Sequence, residues 1–236
     1  MLDPPSGAPL VHQTWGKLLF LHWPVPPELL RPFIPEGLEI DTFDGAAWLA
    51  VIPFTMWGIR PRFLPALPAV SRAHELNVRT YVYTGGQPGV WFFSLDINSW
   101  PGVWAGRAGY SLPYYRADIR LEERDGEISY ELRRRGGAVN GTPELEAKWR
   151  AEASFGIPRP GSLEFFFTER YCLYAERAGR LYRARVWHRP WNLNRATLLA
   201  LRSTMLTAQG LPAPDAPPLA LYAAEQPTRI WLPERV

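Results

Sequence analysis

The chain has 236 residues, a formal net charge of +3, 47% hydrophobic residues and 14% aromatics. That length allows one large β-rich domain or two small ones, and that composition suits a packed core and excludes disorder. The basic residues are scattered. Their longest run, Arg133-Arg134-Arg135, reads as a solvated strand end or turn rather than a nucleic-acid patch.

The opening stretch MLDPPSGAPLVHQTW has neither a basic n-region nor an apolar h-region, so no secretory signal is expected. No run approaches the roughly 18 apolar residues of a membrane span. PPELLRPFIP holds one or two helical turns, opened and closed by proline. LEIDTFDGAAWLAVIPF reads as two strands around Asp44-Gly45. LNVRTYVYTGGQPGVWFFSLDI is a hairpin with a longer Gly/Pro loop. IRLEERDGEISYELRRR is the strongest hairpin, because Asp125-Gly126 supplies the positive φ of a type I′ turn.

Thr142-Pro143 and the propensities of LEAKWRAEASF suggest a helix, but the period is 2. Leu145, Ala147, Trp149, Ala151, Ala153 and Phe155 alternate with polar residues, which predicts a strand with one buried face. GSLEFFFTERY begins as a helix with Ser162 as N-cap. YCLYAERAGRLYRARVW turns around Ala178-Gly179. NRATLLALRSTMLTAQG reads as the best helix of the chain, capped by Asn194 and ended by Gly210. Short connections make neighbouring strands antiparallel, and strands do not alternate regularly with helices. The expected fold is a single α+β domain over residues 1–236, on a mainly antiparallel sheet closed or nearly closed into a barrel, with a few flanking helices.

Several chemical signatures are missing: no nucleophile elbow, no phosphate-binding glycine loop after a strand, no paired cysteines. His12, His22, His74 and His188 lack metal-ligand spacing and read as packed or surface histidines, so neither metal nor cofactor is expected. Cys172, the one cysteine, permits no internal disulfide, reads as a buried inert thiol and fits a reducing cytoplasm. Of 26 Lys and Arg residues only Lys17 and Lys148 are lysines, and 25 prolines sit mostly in loops; both features suit a heat-adapted source.

Two motifs remain. In HELNVRTYV, Glu75, Asn77 and Arg79 share one strand face and Leu76, Val78 and Thr80 the other. The polar row suits a cavity wall in which Arg79 grips an anionic group and Glu75 acts as acid or base; it equally suits a solvent-facing strand with an ordinary ion pair. In GYSLPYYRADI, Pro113 leads into a strand with Tyr114 on one face and Tyr115 on the other. A tyrosine hydroxyl entering a cavity can donate to a developing oxyanion; alternatively both rings fill core volume.

Together with LLFLHWPVPPELLRPFIPEGLEIDTFDGAAWLAVIPF, GVWFFSLDINS, PGSLEFFFTERYCLY and GRLYRARVWHRPW, these motifs resemble, over nearly the whole chain, the YqjF-like family of uncharacterised proteins. That family is placed in the acetoacetate decarboxylase-like superfamily. The resemblance implies a cone-shaped antiparallel β-barrel with flanking helices and a central cavity. The decarboxylases carry a similar turn of Gly, an aromatic, Pro and two lysines. The first of those lysines forms a Schiff base with the substrate ketone. Tyr114 and Tyr115 stand in those positions here. A phenol cannot form an iminium, so the resemblance implies a pocket without Schiff-base decarboxylation. Glu75 is similar in position to a glutamate of the decarboxylases, and Arg31 to an arginine near their short N-terminal helix.

Three functions follow as expectations. One is an enzyme doing acid–base chemistry on a small oxo-acid, with Glu75 and Tyr114 catalytic and Asn77, Arg79, Tyr115 and Arg31 binding substrate. The second is a non-catalytic module that binds a small apolar or weakly acidic metabolite. The third is a homo-oligomeric structural protein. The expected partner is a small molecule in the cavity, not nucleic acid or membrane.

Overall fold

A computed structural model describes residues 3–63, 71–137 and 139–236. Met1 and Leu2, at the start of the stretch examined for a leader, lie outside the described residues. Strands make up 57% of the described residues, so the few helices only link and cover them. In chain order they are β1 (Val11–Val25), α1 (Pro27–Leu30), β2 (Glu39–Ile40), β3 (Ala47–Pro61), β4 (Ala73–Thr84), β5 (Gln87–Ile97) and α2 (Trp100–Tyr110). There follow β6 (Tyr114–Arg124), β7 (Glu127–Arg134), β8 (Glu144–Gly156), α3 (Leu163–Thr168), β9 (Cys172–Arg177), β10 (Arg180–His188), β11 (Leu193–Ser203), β12 (Leu219–Ile230) and β13 (Glu234–Arg235).

All thirteen strands of the described residues belong to one sheet. The pairing path β4–β3–β1–β12–β10–β9–β5 returns to β4, because β5 pairs with β4 and β10 pairs with β12 in addition to their other neighbours. Pairing is antiparallel except where β5 runs parallel to β6 and to β9. The β5–β6 contact is made by a crossover through α2, which sets Tyr114 beside Leu95.

Turn chemistry explains the hairpins. Asp125 and Gly126 take φ of 52° and 76° between β6 and β7, and Ala178 and Gly179 take 50° and 71° between β9 and β10, as a type I′ turn requires. The β4–β5 connection is tighter than the Gly/Pro loop expected. Thr84 pairs with Gln87, leaving Gly85 and Gly86 as a two-residue turn. Around Asp44-Gly45 the expected hairpin shrinks to a single Phe43–Ala46 bridge, and β2 pairs with β4 instead.

The stretch expected to be the best helix is instead strand β11, followed by a single 3-10 turn at Thr207–Gln209 that Gly210 closes. Leu, Ala and Arg favour a helix, but β11 pairs with β8 along most of its length. A register shift between Leu198 and Ala200 breaks its alternation, so Ala196 and Leu198 face the core at spacing 2 and Leu201 follows three residues on. Asn194 is no cap: its Nδ2 donates to the Glu152 carbonyl at 2.7 Å.

β8 is the strand its period predicts. Its buried face holds for Leu145, Ala147 and Trp149 and is lost by Ala153 and Phe155, which are exposed. Ser162 caps α3 by accepting from the Phe165 amide at 3.2 Å. Helix α2 was not expected, although Ser99 and Pro101 mark its start. Three glycines lower its propensity, and Trp100 and Trp104, exposed at 68% and 75%, spoil its apolar stripe. Ser99 caps it, accepting from Gly102 N.

Both faces of β4 are covered. Leu76 and Val78 pack with Leu19, Leu21, Tyr130 and Trp149 in one core cluster. The other face looks into a second cluster that contains Phe20, Ile52, Phe54, Leu95 and Trp191. The middle of the arginine run also departs from expectation. Arg133 and Arg135 are exposed, but Arg134 is 3% exposed and paired to Asp96, because strand alternation turns every second residue inward.

Candidate functional site

The second cluster surrounds a cavity of about 220 Å³. At roughly 30 Å³ per water this is space for a compact organic molecule. Glu75, Asn77 and Arg79 line it from β4, and Tyr114 lines it from β6. Glu75 and Asn77 are 4% and 6% exposed, so the solvent-facing reading of this row fails.

The polar row is set in apolar walls. Across β3, Glu75 and Asn77 face Phe54 and Ile52; across β5 they face Ile97 and Leu95. All four of these residues line the cavity. The Tyr114 hydroxyl donates to Glu75 Oε2 at 3.1 Å. From the opposite face, the Tyr130 hydroxyl donates to the Glu75 carbonyl at 2.9 Å and fixes the backbone of β4 at that point. Burial pushes the Glu75 carboxyl up to about 8, nearby Asp96 adds to the rise, and the Tyr114 bond opposes it. Burial, then the Glu75 charge, raises the Tyr114 phenol well above its usual range. At neutral pH both groups therefore keep their protons, and the pair can donate a hydrogen bond to a carbonyl or take a proton as pH rises.

At the other end, one Arg79 guanidinium nitrogen lies 3.5 Å from the Tyr81 hydroxyl and 3.4 Å from the Phe167 carbonyl. Among the described residues no carboxylate pairs with Arg79, and its Nε has no partner. Tyr81 is held in turn by His22, whose Nε2 is 2.6 Å from the phenol oxygen. Burial holds the His22 imidazole well below its usual range, with Arg79 adding to the effect. Asn77 Oδ1, Tyr110 Oη and Trp191 Nε1 are likewise buried on the cavity wall without partners. Unpaired buried polar atoms cost about 1–3 kcal/mol each unless something meets them.

Sequence reasoning did not single out Arg170, Thr168 or His188 as lining residues, although all three line the cavity. Arg170 is neutralised by Asp41. His188 is 3% exposed, stacks on Tyr171 and faces the Arg170 and Arg189 carbonyls. Arg170 stands in the FFFTERY motif, but only the return of β10 beside β9 brings it next to His188.

Tyr115 and Arg31, both expected to bind substrate, do not line the cavity. Tyr115 takes the opposite face of β6 and stacks under Arg134, whose guanidinium carbon is 4.2 Å from the ring centroid. Arg31 donates to the carbonyls of Leu38, Ile34 and Pro35, closing the loop after α1. Lys17 pairs with Glu123 and Lys148 with Glu127, so neither lysine is in the cavity. Among the described residues no group of three or more His, Cys, Asp or Glu could hold a metal, and no helix is long and apolar enough to cross a membrane.

Gly106 of α2 packs flat on Tyr114: a Cβ there would lie 2.2 Å from Tyr114 Cδ2. The Gly106→Ala protein should therefore displace the ring from Glu75 and lose about 1–3 kcal/mol of stability. Denaturant titration measures the loss, and an unchanged midpoint would refute it.

A mainly antiparallel sheet, a crossover helix and a buried polar row within an apolar cavity define an acetoacetate decarboxylase-like fold. The solved structures agree. The enduracididine biosynthesis enzyme MppR, complexed with pyruvate, superimposes with a TM-score of 0.65 at 15% identity, over 100% of this chain and 91% of that one. Acetoacetate decarboxylase from Legionella pneumophila gives 0.64 at 10% identity, over 100% and 92%. An acetoacetate decarboxylase-like enzyme from Sphingomonas wittichii RW1 gives 0.61 at 16%, over 100% and 96%. The chain belongs to the DUF2071 family of uncharacterized conserved proteins, whose model matches residues 12–227. It is 36% identical over 227 residues to the uncharacterized protein YqjF of Bacillus subtilis, covering 96% of this chain and 93% of that protein.

Proposed function

We propose that this protein is a small-molecule enzyme that performs acid–base chemistry on an oxo-acid held in the cavity. The observation that carries this reading is the Glu75–Tyr114 pair at 3.1 Å, buried in the same cavity as the uncompensated Arg79. Arg79 holds the carboxylate by charge-assisted hydrogen bonds. Glu75, once ionised, takes the carbon-bound proton next to the ketone, and Tyr114 donates to the enolate oxygen that develops. Asn77 lies between them and orients the substrate. Pyruvate in MppR and the acetoacetate decarboxylase neighbours support an oxo-acid as the ligand class.

The reading takes the returning strand path as the wall of a barrel and residues 1–236 as one domain. It places the protein in the cytoplasm, where the buried thiol of Cys172 needs no partner. Tyr114 and Tyr115 stand where the decarboxylases carry their lysine pair, so Schiff-base chemistry is not part of it. Borohydride reduction in the presence of acetoacetate should leave the intact mass unchanged; an adduct on either lysine would refute this.

Proton NMR in deuterium oxide tests the central claim. The protein should exchange the hydrogens next to the ketone of acetoacetate or pyruvate, at a rate that rises with pH and levels off above about pH 8. The Glu75→Gln protein should not. A second reading, a non-catalytic binding module, is favoured by the apolar walls. It predicts that the same acids change the fluorescence of Trp15 and Trp191, which line the cavity, while no hydrogen exchanges.

A further inference from the structure

The polar row on β4 is not one site but two ends of a span. Glu75 and Arg79 are four residues apart on one strand, which separates their Cα atoms by about 13 Å. Their side chains do not close that gap. The Glu75 carboxyl accepts from the hydroxyl of Tyr114, whose place on β6 is level with Leu95 and Asn77. The Arg79 guanidinium leans the other way, toward Tyr81 and the Phe167 carbonyl. The carboxyl-to-ketone distance of pyruvate or acetoacetate is one or two carbons, so either can react at Glu75 and Tyr114 only with its carboxylate off Arg79, and neither fills the span.

What lies between the ends is apolar. Ile52 and Phe54 of β3, and Leu95 and Ile97 of β5, flank the row. Phe20 and Trp191 contribute from further round the wall. The exception is Asn77, whose unpartnered Oδ1 stands midway. The Arg79 end is polar and cationic, with Thr168, Arg170 and His188 beside it, and Asp41 answers only Arg170.

We propose that the occupant is an elongated, largely apolar carboxylic acid. Its carboxylate sits on Arg79, its hydrocarbon body runs past Asn77, and its far end carries the carbonyl that meets Glu75 and Tyr114. This rests on the acid–base reading above and narrows its substrate class from short oxo-acids to oxo-acids with a medium-length aliphatic or aryl-alkyl body.

The test is a chain-length series of unsubstituted acids, from acetate through octanoate, titrated into the full-length protein by calorimetry. Pyruvate and acetoacetate are measured alongside. Affinity should rise about fourfold per methylene until the span is filled. Arg79→Met should weaken octanoate by at least about tenfold while leaving octanol unchanged. Arg79→Lys, which keeps the charge, should retain most of the octanoate affinity and guards against a folding defect. An affinity that does not grow with length overturns the span. If pyruvate and acetoacetate still bind in that case, and Glu75→Gln abolishes their exchange, the acid–base reading survives without it. If no acid of any length binds, both fall.

Discussion

Glu75→Gln abolishes ketone-adjacent hydrogen exchange and makes the protein more stable than the wild type at pH 8, while the two differ little at pH 4. The folded-state carboxyl is raised from 4.5 to about 8, mainly by burial. In the unfolded chain it ionises near its ordinary value. Between those two pH values the native state binds the extra proton, so stability falls as pH rises. The contribution is fully present below pH 4.5 and lost as pH climbs through 8. At 1.36 kcal/mol per pH unit the loss is on the order of 4 kcal/mol. Glutamine still accepts from Tyr114 but has no charge to bury, so its slope disappears.

His22 and His188, both lowered chiefly by burial, act in the opposite sense and only below about pH 6.5. They are common to both proteins and cancel in the difference. Denaturant midpoints at pH 4, 6 and 8 check this. Parallel curves for the two proteins would show that Glu75 does not carry the buried proton.

Asp96→Ala costs about 3–5 kcal/mol, the range for removing one partner of a buried ion pair. Arg134 donates to Asp96 through Nε at 2.6 Å and through a terminal nitrogen at 2.8 Å, and Ser94 adds a third donor at 3.3 Å. Both side chains are sealed, at 1% and 0% exposed. Tyr115 covers the guanidinium on one side. The alanine leaves that cation with only the Gly137 carbonyl among its described polar contacts. For a chain of this size the melting temperature falls by about 10 °C. The double replacement Asp96→Leu with Arg134→Met recovers most of the loss, because the unpaired charge rather than the missing bond dominates the penalty. A single-mutant loss below about 1 kcal/mol would refute this. Asp96 also adds to the rise at Glu75, so the same alanine should lower the pH at which exchange levels off.

The turns that fix the hairpins, the period of β8 and the Ser162 cap were legible in the residues. Each depends on neighbours a few positions away: a positive φ at Asp125-Gly126, an alternation of size and charge, a hydroxyl three residues before an amide. The sharing of one face by Glu75, Asn77 and Arg79 was legible for the same reason, since a strand alternates wherever it is placed.

Where that face points was not local. Leu76 and Val78 alone would suit a strand with one wet side; only the two clusters on either side of β4 bury both. The β11 stretch has the propensity of a helix and became a strand because β8 offered it backbone partners along most of its length. Arg134 became a core residue because Asp96, 38 positions away, faces it. Tyr114 reaches Glu75 across 39 positions only because the α2 crossover lays β6 parallel to β5, and the same crossover turns Tyr115 away from the cavity. The sequence by itself determined which side chains share a strand face. The tertiary structure decided which faces meet, because burial and pairing depend on partners that local residues do not specify.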